Sequence, residues 1–237
     1  MIVLRNVTKS FDGRVALDDV SLTVESGETH VLLGSTGSGK STILKLVLGL
    51  LRPDSGEVRV DSAVRMGYVV QDGALFPHLT AARNATLPAR AARWSDASQA
   101  ARLEELADLV GLERPLLHRY PHQLSTGQRQ RASLLRALIL DPPVLLLDEP
   151  LGALDPIARA ELQRHLVRII AELRKTVIVV THDVREAFVF GTTITLMSRG
   201  RVVQQGTFAD LARHPAEPFV AEFLRAQAPP PDMTRYL

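Results

Sequence analysis

Gly34-Ser35-Thr36-Gly37-Ser38-Gly39-Lys40-Ser41 follows an apolar run, Thr29-His30-Val31-Leu32-Leu33, and precedes a helical pattern, Thr42-Ile43-Leu44-Lys45-Leu46-Val47-Leu48. This is the P-loop pattern G-x-x-x-x-G-K-[ST] set between a strand and a helix, the context that gives the motif its meaning. Glycines at 34, 37 and 39 let the backbone take positive φ and curl around a phosphate with no Cβ in the way. Backbone N–H groups from Gly34 through Ser35, Thr36 and Ser38 to Thr42 then form an anion nest at the positive end of a helix dipole. Lys40 can reach the β- and γ-phosphates, and the Ser41 hydroxyl can ligate Mg²⁺. The bland alternative is a Gly/Ser loop beside a solvated lysine, which would need neither flank. The motif alone implies a nucleotide phosphate and does not say which reaction.

Composition bounds the rest. The 237 residues suit one large domain or two small lobes, and an apolar fraction of 46% supplies a sizeable core. A net charge of +2, with no block of like charges, argues against a nucleic-acid partner. There is no cysteine, hence no disulfide frame and no thiol chemistry. The start, Met1-Ile2-Val3-Leu4-Arg5-Asn6, does not read as a signal peptide. No apolar run approaches the roughly 18 residues of a membrane span. A soluble, cytoplasmic chain is expected.

In chain order, residues 2–8 and 18–24 alternate apolar and polar and read as strands about an Asp12-Gly13 turn. On the residues alone Phe11, between them, reads as core, with an adenine platform as the alternative. Glu57–Asp61 reads as an edge strand, and Met66–Val70 as a short buried strand ending at Gln71, where a polar residue can face a ligand. Residues 72–140, rich in Ala and Arg early on, read as a helical insertion that continues through Leu112–Tyr120 and packs Trp94. Ser125 reads as the N-cap of a helix through Leu140, with phosphate binding there as the alternative.

Val144-Leu145-Leu146-Leu147 reads as a central parallel strand buried on both faces. It ends in Asp148-Glu149-Pro150. Adjacent acids at a buried strand's end are costly unless they have a task. Downstream of a P-loop, Asp148 would hold Mg²⁺ and Glu149 would orient and deprotonate water. Asp155-Pro156 opens an amphipathic helix. Lys175–Val180 reads as a second buried strand ending in Thr181-His182-Asp183, and His182 is either structural or functional there. Thr192–Met197 and Arg201–Gln205 read as a hairpin about Arg199-Gly200. Residues 208–224 read as helical, broken at His214-Pro215, and the tail with Pro229-Pro230-Pro231 as mobile.

Together these residues resemble the ATP-binding cassette (ABC) ATPases from about residue 2 to 225. The carrying elements occur in that family's order: Phe11, the P-loop 34–41, Gln71, Leu124–Gln128, Leu145–Pro150, Ala153-Leu154-Asp155 and His182. The resemblance implies an α/β fold: a P-loop NTPase (RecA-like) core with N-terminal antiparallel strands and an inserted helical subdomain. The implied division is residues 1–71 and 141–225 for the lobe, 72–140 for the helices and 226–237 for a flexible tail. It implies ATP and Mg²⁺ as cofactors. Phe11 becomes the adenine-stacking aromatic, reversing its local reading. Gln71 contacts Mg²⁺ and the attacking water and signals to a membrane partner. Glu149 is the base, His182 the γ-phosphate switch, and Ser41, Gln71 and Asp148 the metal ligands. Ser125, Gly127 and Gln128 become the signature that meets the nucleotide of an opposite protomer, with Asp155 near the dyad. One position departs: Thr126 stands where the family usually has the first glycine of Leu-Ser-Gly-Gly-Gln, while Gly127, the one expected nearest phosphate, is kept.

Within the family, Leu75-Phe76-Pro77-His78-Leu79-Thr80, Arg93-Trp94-Ser95 and Gly152-Ala153-Leu154-Asp155-Pro156-Ile157 resemble importers of quaternary amines such as glycine betaine and choline. This implies an ATPase subunit working as a homodimer on the cytoplasmic face of the membrane, with permease subunits docked near Gln71 to Thr80. Trp94, Tyr68, Tyr120 and Tyr236 are too scattered to form an aromatic cage for a cation. A separate substrate-binding protein is therefore expected to hold the solute. An importer ATPase for another solute, such as an amino acid, and a non-transport ABC ATPase are the alternatives. A small P-loop kinase would leave Leu124–Gln128 unexplained.

Overall fold

The alternating residues of the N-terminus build strands β1 (Ile2–Phe11) and β2 (Arg14–Val24). They appear in a computed structural model that describes residues 1–61, 64–71 and 73–227. Asp72, the Pro229–Pro231 tail and Tyr236 lie outside the described residues. The chain falls into two compact units, one of 24–29 and 60–180 with Met1, the other of 2–23, 30–59 and 181 onward.

In the first unit, β5 (Met66–Val69), β6 (Val144–Asp148) and β7 (Thr176–Thr181) run parallel, β6 between the other two. Every residue of β6 and β7 is buried, which is why Val144–Leu147 and Val177–Val180 read as unbroken apolar runs rather than alternating ones. Helices α2 (Ala81–Ala91), α3 (Asp96–Val110), α4 (Thr126–Leu138) and α5 (Pro156–Leu173) complete this unit. Thr80, Ser95, Ser125 and Asp155 cap them, each side chain accepting from a backbone N–H one turn on. Trp94 is half-buried at the turn between α2 and α3, where its carbonyl accepts from Gln99 Nε2. The expected helical continuation through Leu112–Tyr120 is not an α-helix. Gly111 ends α3 in the left-handed region at φ 69, and Pro115 stands in a short 3-10 turn, Arg114–His118.

In the second unit, β1 lies between β2 and β4 (Ser55–Val60). Asp12 and Gly13 both take positive φ, 47° and 77°, as a tight hairpin turn requires. β3 (Thr29–Gly34) runs parallel to β8 (Thr193–Ser198), and β8 antiparallel to β9 (Arg201–Gly206). The expected turn at Arg199-Gly200 forms, again with positive φ at both residues, 48° and 79°. Helices α1 (Lys40–Val47), α6 (Val184–Phe190), α7 (Phe208–Arg213) and α8 (Pro218–Ala226) finish the unit.

Candidate nucleotide site

The loop between β3 and α1 is shaped by its glycines. Gly34 and Gly39 take φ 155° and 102°, and Gly39 is the residue just before α1. A Cβ on Gly34 would fall on the Met197 carbonyl oxygen, and one on Gly39 would stand 2.6 Å from the Ala16 carbonyl oxygen. Both positions therefore exclude any side chain, on space as well as backbone angle. Gly37 differs: its φ is 81°, yet the space a Cβ would take is open, so only its backbone angle calls for glycine. The β8–β9 turn braces the loop from beneath, Gly200 N–H donating to the Ser38 carbonyl at 3.2 Å.

Lys40 is 4% exposed. Its Nζ donates to the carbonyls of Gly34 at 2.8 Å and Ser35 at 2.9 Å, and to Ser38 Oγ at 3.4 Å. The ammonium is thus held over the loop's own backbone at the start of α1, where helix N–H groups also gather. That cradle, two glycines too crowded for side chains with a buried lysine across them, fits a polyphosphate. Phe11, at the end of β1, is 42% exposed, with Lys9 Nζ 5.6 Å from its ring centroid. The local reading of Phe11 as core is therefore overturned. The alternation of a strand end does not say whether the sheet's cover reaches that far.

At the end of β6, Asp148 is 4% exposed and accepts from the Tyr68 hydroxyl at 3.3 Å. Burial first, and then the charge and hydrogen bond of Asp148, push the Tyr68 hydroxyl up to about 12. Glu149 leaves the strand in the left-handed region, at φ 45°. Non-glycine residues are uncommon there, and such strain clusters at functional sites. Its N–H donates to the Val180 carbonyl at 3.0 Å, which fixes the turn. Gln71, just past β5, donates from Nε2 to Glu149 Oε2 at 3.3 Å. These two residues, 78 apart in sequence, are brought together because β5 and β6 are parallel neighbours with Val69 beside Leu147.

The signature stretch begins α4. Ser125 Oγ accepts from Gln128 N–H at 3.2 Å, and Gln128 Oε1 accepts from Ser125 N–H at 2.9 Å, a reciprocal cap. Ser125 is therefore an N-cap, and Gln128 serves it. Thr126 Oγ1 accepts from Arg129 Nη2 at 3.0 Å, so the departing residue is built into the first turn. Gly127 faces the start of α5: a Cβ there would lie 3.7 Å from Leu154 Cδ2 and 3.8 Å from Ala158 Cβ. Asp155 Oδ1 caps that helix, accepting from Ile157 and Ala158 N–H at 3.1 and 3.0 Å.

In the other unit His182 is exposed, one residue past β7 and one before Asp183, the N-cap of α6. Tyr68 and Gln227 were not read as site residues from sequence. Each reaches its partner, Asp148 or the backbone about His182, across more than forty residues, and no local pattern carries that signal.

A family model described as ABC transporter matches residues 17–152, from β2 past the P-loop, Gln71 and Ser125 to Glu149. The chain belongs to the ABC transporter family. Among ABC proteins it is 43% identical to the glycine betaine uptake system ATP-binding protein of Escherichia coli strain K12, over 94% of this chain and 76% of that one. It is 38% identical to the choline transport ATP-binding protein of Bacillus subtilis strain 168, over 99% of this chain and 66% of the other. To the sulfate/thiosulfate import ATP-binding protein of a Synechocystis strain it is 44% identical, over 94% of this chain and 65% of that protein. A dimeric bacterial ABC transporter cassette of known structure superposes with a TM-score of 0.80 at 35% identity, covering 88% of this chain and 99% of that one. The same cassette has also been solved in a post-hydrolysis state with ADP and Pi. The ABC cassette fold expected from sequence, an α/β P-loop NTPase core with N-terminal β strands and inserted helices, is thereby shown.

Proposed function

We propose that this ABC protein is the ATPase subunit of an importer, hydrolysing ATP as a homodimer to drive solute through partner permease subunits at the cytoplasmic face of the membrane. The observation that carries the reading is the P-loop itself: buried Lys40 held over the Gly34 and Ser35 carbonyls, in a loop where no Cβ fits at 34 or 39. When bound, the nucleotide would supply the scissile γ-phosphate and Mg²⁺ would act as a Lewis acid. Lys40 and the backbone N–H groups of residues 34–42 hold the phosphates, and Phe11 stacks on the base. Ser41, Gln71 and Asp148 supply oxygen donors for the cation. Among the described residues no cluster of three or more His, Cys, Asp or Glu forms, and Mg²⁺ on a nucleotide needs only one or two carboxylates. Glu149 takes the proton from water, with Gln71 holding its Oε2. His182 would meet the γ-phosphate. Ser125 and Gly127 complete the opposite protomer's site, and Asp155 lies near the dyad. The dimeric relative supports the pairing.

The solute is read as a quaternary amine such as glycine betaine or choline, delivered by a separate binding protein. Names of relatives and the stretches Leu75–Thr80 and Gly152–Ile157 support this. The sulfate/thiosulfate relative is of equal similarity and favours a second reading, another small solute on the same machinery. Uptake of labelled betaine, choline and sulfate by cells with and without the gene separates the two. Loss of betaine or choline uptake supports the amine. Loss of sulfate uptake alone leaves the ATPase standing and overturns the solute.

A further inference from the structure

The turn that carries His182 is tied down from far along the chain. Two of its backbone groups have local partners: Asp183 N–H donates to Thr181 Oγ1 at 3.0 Å, and Arg185 N–H to Asp183 Oδ1 at 2.7 Å. Thr181 Oγ1 is itself fixed by donating to buried Glu186 Oε2 at 2.6 Å. Two further groups of the turn, the His182 carbonyl and the Val184 N–H, are bonded by one side chain. Gln227 Nε2 donates to the His182 carbonyl at 2.9 Å, and Gln227 Oε1 accepts from Val184 N–H at 2.9 Å. Gln227 caps α8, which is anchored in the same unit by Val220, 0% exposed.

A primary amide carries a donor and an acceptor side by side, so it can accept from an N–H and donate to a carbonyl at once. Asparagine, a methylene shorter, would have to move α8 to do the same. His182 is exposed, and Gln227 fixes the backbone that bears it. We propose that Gln227 is a positioning residue that holds His182 in place for the γ-phosphate and couples α8 to that histidine. The inference rests on the reading of His182 given above.

Steady-state ATP hydrolysis by the full chain with Mg²⁺ tests it in Gln227→Leu, Gln227→Glu, His182→Ala and the combined Gln227→Leu/His182→Ala. Leucine keeps most of the bulk and neither bond. Gln227→Leu, which loses both bonds, should lower kcat about fivefold or more, at least the scale of one ordinary hydrogen bond, with KM for ATP within about twofold. Gln227→Glu still accepts from Val184 but cannot donate to His182, and should fall as far. In the His182→Ala background the leucine change should cost nothing more. A wild-type kcat in either single Gln227 variant overturns the proposal, as does an equal loss in both backgrounds. A lowered melting temperature with kcat intact would make Gln227 a structural anchor only. Undiminished kcat in His182→Ala overturns instead the reading of His182.

Discussion

Gln71 donates from Nε2 to Glu149 Oε2 across 3.3 Å, linking the end of β5 to the end of β6. The bond orients the carboxylate without burying it, since Gln71 is exposed and Glu149 half-buried. If Glu149 is the base, Glu149→Gln should bind ATP with Mg²⁺ and hydrolyse it at least about a hundredfold more slowly, the low end for a general base. The substitution keeps the shape and the φ of 45°, so the melting temperature should hold. Single-turnover hydrolysis checks this, and near-normal turnover would remove Glu149 from the role.

Phe11 is exposed, so its loss should be felt in binding and not in folding. Base–aromatic stacking is worth about 1–3 kcal/mol on alanine substitution. Phe11→Ala should weaken ATP about fivefold or more by calorimetry at unchanged melting temperature, and Phe11→Tyr should be mild. Intact affinity would rule out stacking.

The loop glycines are not equivalent. Gly37→Ala meets open space and should cost only the left-handed backbone penalty, about 1–2 kcal/mol. Gly39→Ala adds a collision with the Ala16 carbonyl and Leu17 Cδ2 to that penalty, and should destabilise the chain distinctly more. Urea unfolding of the two variants ranks them. An equal loss would mean that the Ala16–Leu17 segment yields freely.

Tyr68 ties protonation to the Asp148 pocket. Its hydroxyl is raised from the ordinary 10.0 to about 12 in the folded chain, so the fold binds this proton more tightly than the unfolded chain does. The stability it contributes is whole below about pH 10 and is lost as pH rises toward 12. Tyrosinate absorbance should show a step that comes late, and Tyr68→Phe should remove it. If the folded wild type shows no late step, neither burial nor Asp148 raises this hydroxyl.

Much of this was legible in the residues because the physics is local. The unbroken apolar runs at 144–147 and 177–180 announce strands buried on both faces, and the turns at 12–13 and 199–200 announce positive φ. The caps at Ser125 and Asp155 follow from a short polar side chain ahead of a helix. What was not legible is set by distance along the chain. Tyr68 meets Asp148 only because β5 and β6 pair, and Gln227 meets the His182 turn only after α8 has packed. The left-handed φ of Glu149 is hidden for the same reason: the Val180 carbonyl that receives its N–H belongs to another strand. Phe11 was misread locally because exposure at a strand end depends on what covers the sheet, which alternation does not encode.

The central claim is that ATP is hydrolysed between residues 34–41 of one protomer and Ser125–Gly127 of its partner. A Lys40→Ala chain lacks the phosphate lysine, and a Ser125→Arg chain carries a bulky cation at the start of α4. Each alone should be inactive. Mixed in equal amounts, they form some dimers with one site made of two intact halves and one made of two damaged halves. The account predicts that mixing restores ATPase activity to a sizeable fraction of wild type. No restored activity, with mixed dimers shown to form, would contradict it.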